Sequence, residues 1–192
     1  MKDKIMKAFD ESLDVKKRFA EQNISLIEET AMLIARRLSS GNKILLFGNG
    51  GSATDASHIA AEFVNRFKME RPALPALALT TDMAVITSIS NDYDFTEIFA
   101  RQIKALAQKD DVAVAISTSG NSPNVLNGIE AAKKKGLVTV GLTGHNGGQM
   151  ASKADYIFKV PSADTPRIQE THITLAHILC QIIEEILFKI PL

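Results

Sequence analysis

Two side chains capable of acid–base or metal chemistry, His58 and Glu62, lie four residues apart just after a glycine-rich stretch. On a helix this spacing places both side chains on one face, where they are neighbours. An imidazole and a carboxylate at this spacing can share one divalent cation. A hydrogen bond or weak ion pair on a helix surface would use the same spacing, so both interpretations stay open for this pair.

Two loops rich in glycine and serine supply groups that suit an anion. Gly48–Ser52 contains glycines, which let the backbone approach a ligand closely, and it opens a helix whose free N–H groups favour negative charge. Ser117–Ser122 carries four hydroxyl groups, and Pro123 predicts a helix that begins directly after Ser122. Hydroxyl and N–H groups together predict a neutral phosphate site. The alternatives are a tight turn capped by Ser52 and a serine-rich turn.

Neither loop matches a nucleotide-binding motif. Ala53 stands where a dinucleotide fingerprint that begins at Gly48 requires its third glycine, and no Lys-Ser/Thr pair follows as in a P-loop. The first loop is therefore neither a dinucleotide fingerprint nor a P-loop.

Short apolar runs alternate with helical segments and position these loops. The predicted strands are Lys43–Phe47, Leu74–Leu79, Val112–Ile116, Val138–Leu142 and Tyr156–Val160. The predicted helices between them are Ser52–Phe67, Phe95–Ala107 and Asn124–Lys135. Such alternation predicts an α/β fold with a five-stranded parallel sheet between two helical layers, a three-layer sandwich. Ligands of such sheets bind at the carboxyl edge of the strands, where both loops lie.

Long helices are predicted at both ends of the chain. Residues 2–39 show apolar residues at helical spacing, with Gly41 as the stop and a kink expected near Asn23. Thr165 is the expected cap of a last helix that runs to about Lys189. Both helices are too long and apolar for the surface of a monomer, which predicts an oligomer; packing on their own sheet is the alternative. The absence of a linker predicts one domain over 1–192, with oligomerisation helices in 1–40 and the α/β core in 41–192.

The composition excludes several classes of protein. Lys plus Arg and Asp plus Glu number 22 each, so no basic surface argues for nucleic acid. Cys180 is the only cysteine, which rules out an intrachain disulfide. No apolar run has the form of a signal peptide or a membrane span, so we expect a cytoplasmic protein that does not bind membranes.

The motifs GNGGS and STSGNS, with NDY between them and RIQE before a later histidine, resemble the sugar isomerase (SIS) domain family. The resemblance spans nearly the whole chain and is closest to the bacterial sedoheptulose-7-phosphate (phosphoheptose) isomerases. It implies a flavodoxin-like fold, a homotetramer with active sites at subunit interfaces, and one zinc ion per subunit. It also implies interconversion of two phosphorylated seven-carbon sugars, sedoheptulose 7-phosphate and D-glycero-D-manno-heptose 7-phosphate. This is the entry step to the heptose of bacterial surface polysaccharides, either lipopolysaccharide or capsule.

The resemblance also implies roles for individual residues. The phosphate would be held by Ser117, Thr118, Ser119 and Ser122. The rest of the substrate would be contacted by Asn49, Gly50, Gly51, Ser52, Glu62, Asn91, Asp92 and Gln169. The metal ligands would be His58, Glu62, Gln169 and His177. Glu62 and His177 would also be the acid–base pair. Apart from the resemblance, His172 and Glu170 lie in the same stretch as Gln169 and His177 and are expected to support the ligands, with an ordinary solvated helix face as the alternative.

The spacing of Gln169 and His177 raises a geometric problem. Eight residues correspond to about 12 Å of helical rise, so one metal ion is hard to reach from both positions. Three explanations are open: the last helix begins after Gln169, a neighbouring subunit supplies one ligand, or one residue only approaches the site.

A non-catalytic SIS tetramer that binds the replication initiator DnaA is the alternative function. That relative lacks the glutamate and histidine at the positions of Glu62 and His177, so the presence of both favours an enzyme. SIS regulators carry a helix-turn-helix domain, and the sequence shows no such domain.

Overall fold

A sheet of five parallel strands forms the middle layer of the molecule, in a computed structural model that describes residues 1–189. In chain order the strands are β1 (Ile44–Gly48), β2 (Ala76–Ala78), β3 (Val112–Ile116), β4 (Val138–Gly144) and β5 (Tyr156–Val160). They lie in the order β2-β1-β3-β4-β5, and every neighbouring pair is parallel. This is a flavodoxin-like order, and it confirms the predicted fold.

Helices cover both faces of the sheet. In the described part of the chain they are α1 (Lys2–Ser39), α2 (Gly51–Val64), α3 (Met83–Asp92), α4 (Ile98–Leu106), α5 (Pro123–Lys134) and α6 (Thr165–Phe188). Successive residues of β1 point to opposite faces, as the period of a strand requires. Ile44 and Leu46 belong to the core under α1, α2 and α6, whereas Leu45 and Phe47 belong to the core under α3, α4 and α5.

The strand predicted over Leu74–Leu79 is only three residues long, Ala76–Ala78, and a helix that was not predicted follows it. This helix, α3, is capped by Asp82, whose carboxylate accepts from the N–H of Val85 at 3.0 Å. Its sequence, MAVITSISND, is rich in β-branched residues and serine, which are weak helix formers. The cap at Asp82 is the sequence signal that would have identified it.

Helix boundaries differ from the predictions at three further places. The N-cap of α6 is Asp164 rather than Thr165. The N-cap of α2 is Gly50, at φ 55°, so Ser52, the cap in the alternative interpretation of the first loop, lies inside the helix. The helix predicted from Phe95 starts as a short 3-10 turn, Phe95–Glu97, before α4.

The terminal helices pack differently along their lengths. α1 is unbroken at Asn23, whose side-chain amide donates to the carbonyl of Phe19 at 2.8 Å. Its buried residues begin at Val15, and before that point apolar side chains such as Phe9 and Leu13 are 63% and 64% exposed. α6 is long and apolar enough to cross a membrane by length and composition alone, yet much of it packs in the core, with residues such as Ile183 fully buried on the sheet.

Candidate active site

Helices α2 and α6 bring His58, Glu62 and His177 together. One ligand atom from each of the three side chains lies within 4.8 Å of the other two. His58 Nε2 is 3.1 Å from Glu62 Oε1, and the His58 and His177 rings meet edge to face with centroids 5.1 Å apart. The ring of Phe67 packs 5.4 Å from that of His177 on another side. We call these three residues, His58, Glu62 and His177, the acid–base cluster.

The acid–base cluster fits a divalent cation by the type of its donors. Two imidazole nitrogens and one carboxylate oxygen are a common ligand set for catalytic Zn²⁺, which keeps its fourth position open for substrate or water. The three ligand atoms lie within 4.8 Å of one another, so the residues could hold one ion together. A zinc ion is therefore chemically compatible with these residues.

Gln169, the fourth ligand that the resemblance implies, lies against the first loop. A methyl group placed on Gly51 would sit 2.5 Å from Gln169 Nε2, so the glutamine amide touches the start of α2. Because α6 begins at Thr165, before Gln169, the explanation that the helix starts later is wrong. Within one chain the structure places Gln169 beside Gly51 and His177 beside Glu62.

Cys180 lies one helical turn after His177 and was not considered as a site residue from sequence. Burial raises the pKa of the thiol to about 12, and the negative charges of Glu62 and Glu184 act in the same direction. Cys180 therefore stays protonated at neutral pH and supplies neither a thiolate ligand nor a nucleophile. It contributes a small apolar group behind Glu62.

The second loop joins β3 to α5 and turns its hydroxyl groups toward one another. Ser117 Oγ and Ser122 Oγ are 3.0 Å apart, and Ser122 is the N-cap of α5, as predicted. The Ser122 side chain makes no capping hydrogen bond; Pro123 has no N–H, and the N–H of Val125 donates instead to Asn124 Oδ1 at 2.9 Å. Gly120 has φ 66°, and a side chain there would overlap the carbonyl oxygen of Gly147. The close packing of Gly120 against Gly147 therefore constrains the backbone of the loop, and the hydroxyl groups of Ser117 and Ser122 lie side by side.

The first loop runs beside the second. Gly48 pairs with Ile116 at the ends of β1 and β3, so the loops leave the sheet side by side. The side-chain amides of Asn49 and Asn124 exchange two hydrogen bonds of 2.9 and 2.8 Å, which tie the first loop to the start of α5. Asn124 is buried and was missed from sequence, because nothing local marks a partner 75 residues away.

Asn91 and Asp92 lie on the last turn of α3, both exposed, and the Asn91 amide donates to Asp92 at 2.9 Å. Among the described residues, neither side chain bonds to the two loops or to the acid–base cluster. One chain therefore does not bring these two residues to the other predicted site residues by direct contact.

The two expected supporting groups on α6 face elsewhere. His172 is buried against β4, with Nε2 3.2 Å from the carbonyl oxygen of Thr143. Glu170 pairs with Arg167 at 2.5 Å. The expectation that they support the metal ligands directly is wrong, because their side chains bond to β4 and to α6 itself.

Known proteins are similar to this chain over its full length. The family model of the SIS domain matches residues 9–144. A phosphoheptose isomerase of Thermodesulfovibrio yellowstonii is 63% identical over 191 residues, which cover 100% of this chain and 95% of that protein. One from Aquifex aeolicus is 54% identical over 96% of this chain and 97% of its own length. The solved structure of a phosphoheptose isomerase from Francisella tularensis is 39% identical with a TM-score of 0.92, covering 95% of this chain and 97% of its own. One from Neisseria gonorrhoeae, also 39% identical, has a TM-score of 0.91 over 96% of this chain and 98% of its own.

Proposed function

The chain belongs to the phosphoheptose isomerases of the SIS-domain family, and on that premise we propose that it interconverts sedoheptulose 7-phosphate and D-glycero-D-manno-heptose 7-phosphate. The observation that carries this proposal is the proximity of Glu62 on α2 and His177 on α6, whose ligand atoms lie within 4.8 Å of each other. A sugar-phosphate binding protein needs the loops alone, whereas an isomerase also needs an acid–base pair.

The distance between the loops and the acid–base cluster suits a long substrate. In a heptose 7-phosphate the reacting carbons C1 and C2 lie at the opposite end of the carbon chain from the phosphate. His58 follows Gly51 by seven residues on α2, a rise of about 10 Å. This offset supports a binding mode with the phosphate at the serine loop and the reacting carbons nearer to the cluster.

The proposed phosphate ligands are Ser117, Thr118, Ser119 and Ser122, assisted by the N–H of Asn124 at the start of α5. The first loop, Asn49 to Ser52, and the Gln169 amide would line the sugar between the loop and the cluster. Asn91 and Asp92 would contact the sugar in the assembled oligomer, with Asp92 assisting ring opening.

The reaction requires two proton movements. Starting from the ketose, a base removes a proton from C1 and returns it to C2 through an enediol, while a second proton moves between the oxygens on C1 and C2. We assign Glu62 as the carbon base and His177 as the acid–base group at oxygen. A zinc ion held by His58, Glu62 and His177 would polarise the carbonyl and stabilise the negative charge that develops on its oxygen.

A homotetramer, with active sites shared between subunits, is proposed as the working form. Its support is the exposed apolar surface on the first third of α1, where Phe9 and Leu13 are more than half exposed in the single chain. Burial of such a surface against another subunit is favourable by roughly 25 cal/mol per Å². We further propose a cytoplasmic location and a product that feeds a surface polysaccharide.

The variants Glu62→Gln and His177→Ala test the assignment. Each should abolish isomerisation, while binding of a sugar phosphate, measured by calorimetry, should survive because the loops are unchanged. Glu185→Gln, the same chemical change at a half-buried position on α6, is the control and should keep full turnover. Near-normal turnover in either active-site variant would show that the assignment is wrong.

The non-catalytic DnaA-binding function gains no support from the comparisons. The relatives that cover the whole chain are named for isomerase activity, and the acid–base cluster is present and assembled.

A further inference from the structure

A buried ion pair connects the end of α2 to α6 next to the acid–base cluster. Arg71 Nε and Glu184 Oε1 are 2.9 Å apart, and the two side chains are only 1% and 2% exposed. Burying two charges is costly unless further hydrogen bonds satisfy both groups. The hydrogen bonds made by both side chains therefore show which parts of the structure this pair holds in place.

Glu184 is satisfied by three consecutive backbone N–H groups of the turn after α2. Its carboxylate accepts from Phe67 at 2.8 Å, Lys68 at 3.0 Å and Met69 at 3.1 Å. Burial by itself would raise the pKa of Glu184, but these donors and Arg71 outweigh it and hold the pKa below its ordinary value. Glu184 is thus an anion at neutral pH and fixes this turn to α6.

Arg71 completes the end of α2. The last carbonyl groups of a helix have no partner inside the helix. The Arg71 guanidinium donates to two of them, the carbonyl of Glu62 at 2.8 Å and that of Phe63 at 2.8 Å. The guanidinium therefore contacts the backbone of Glu62, the proposed carbon base.

The same ion pair is also connected to His177, through Phe67. Glu184 lies seven residues after His177, so both project from nearly the same face of α6. The backbone of Phe67 is bonded to Glu184, and the Phe67 ring packs 5.4 Å from the His177 ring. One side of the ion pair therefore positions the backbone of Glu62, and the other positions the ring beside His177.

We propose that the Arg71–Glu184 ion pair is a positioning device that sets the geometry of Glu62 and His177 for proton transfer and metal binding. Neither residue touches the reacting atoms in this account. The expected loss of kcat rests on the proposed function. The expected loss of Zn²⁺ affinity does not depend on that function.

The test compares Glu184→Gln and Arg71→Lys with Asp111→Asn. Glutamine presents an NH₂ group to backbone N–H donors, and lysine keeps the charge but loses the forked geometry. Asp111 is the matched control, because it is fully buried, bonds the backbone N–H groups of Lys43 and Gln108 and the Lys43 ammonium, and lies at the amino end of β3. Melting temperature reports the cost to the fold in each variant.

We expect kcat to fall about 10- to 100-fold in Glu184→Gln and Arg71→Lys, since a small displacement of a catalytic group has this effect. KM should change less than about threefold because the loops that bind phosphate are untouched. The affinity for Zn²⁺ alone, measured by competition with a chelator, should fall about 10-fold. Asp111→Asn should lose comparable stability while its kcat and Zn²⁺ affinity stay at the wild-type values.

The proposal is overturned if both variants keep kcat and Zn²⁺ affinity within about twofold of Asp111→Asn. If Arg71→Lys does not fold, the variant Phe67→Leu tests the proposal in its place. This substitution removes the ring beside His177 and keeps the hydrogen bond from the backbone N–H of residue 67 to Glu184. An unchanged kcat and Zn²⁺ affinity in Phe67→Leu would then overturn the proposal. A wild-type protein without isomerase activity would refute the proposed function, while a loss of Zn²⁺ affinity in the variants would still support the positioning role.

Discussion

The buried imidazole of His172 makes the fold sensitive to mildly acidic pH. Burial lowers the pKa of His172 from 6.5 to about 4, and the hydrogen bond to the Thr143 carbonyl opposes this only in part. Because a carbonyl only accepts, Nε2 carries the proton of the neutral ring, and Nδ1 has no partner among the described residues. The native state therefore prefers neutral His172, whereas the unfolded chain takes up a proton near pH 6.5.

The pKa values of His172 in the folded and unfolded states determine how stability changes with pH. Above pH 6.5 both states are neutral at this position, and the contribution of His172 is fully present. Between pH 6.5 and about 4 the unfolded state binds the extra proton, so stability falls by about 1.4 kcal/mol per pH unit. The total loss is on the order of 3 kcal/mol, a large share of the 5–15 kcal/mol that is typical of a domain.

His172→Gln tests this reasoning, because glutamine does not titrate and keeps an N–H that can donate to Thr143. The assay is urea denaturation of both proteins at pH 7.5, 6, 5 and 4.5, at one fixed protein concentration because assembly would shift the midpoint. The stability advantage of wild type over the variant should shrink by about 2–3 kcal/mol between pH 7.5 and 4.5. Carboxylates such as Glu184 also weaken the fold in acid, but they are common to both proteins. A difference that stays constant with pH would refute a neutral buried His172.

Two substitutions in the loops and one on α3 give further predictions. Gly51→Ala should push the Gln169 amide away from the first loop and lower kcat/KM about 10-fold. Its stability in thermal denaturation should stay within about 1 kcal/mol of wild type, because only the tip of the Gln169 side chain must move. Gly120→Ala should raise KM for the sugar phosphate and lower the melting temperature, since φ is 66° and the methyl group would overlap the backbone of Gly147. Asp92→Asn should slow turnover of the cyclic sugar in a steady-state assay, and unchanged turnover would remove Asp92 from ring opening.

The sheet and both loops were predictable because their signals are local. β1 and β3 are short apolar runs, buried at every position, and each ends in a glycine- or serine-rich turn. The pairing of His58 with Glu62 followed from their spacing on one helix and is present at 3.1 Å. Helix α3 was missed because its β-branched residues obscure the helical pattern.

The contacts that organise the site were not predictable, since they join residues that are distant in sequence. Asn49 and Asn124 are 75 positions apart, and Arg71 and Glu184 are 113 positions apart. Local periodicity gives no information on such pairs, which depend on how α2, α5 and α6 pack on the sheet.

In the proposed reaction Glu62 moves a proton between C1 and C2 of a heptose phosphate, and His177 moves a proton between the oxygens on these carbons. The most direct test is incubation of zinc-replete protein with sedoheptulose 7-phosphate in D₂O, followed by NMR of the sugars. We predict that wild type, and not Glu62→Gln, forms an aldose heptose 7-phosphate, which carries deuterium at C2 where the protonated Glu62 exchanges with D₂O before it returns the proton. Folded, zinc-replete wild-type protein that forms no aldose would contradict the account.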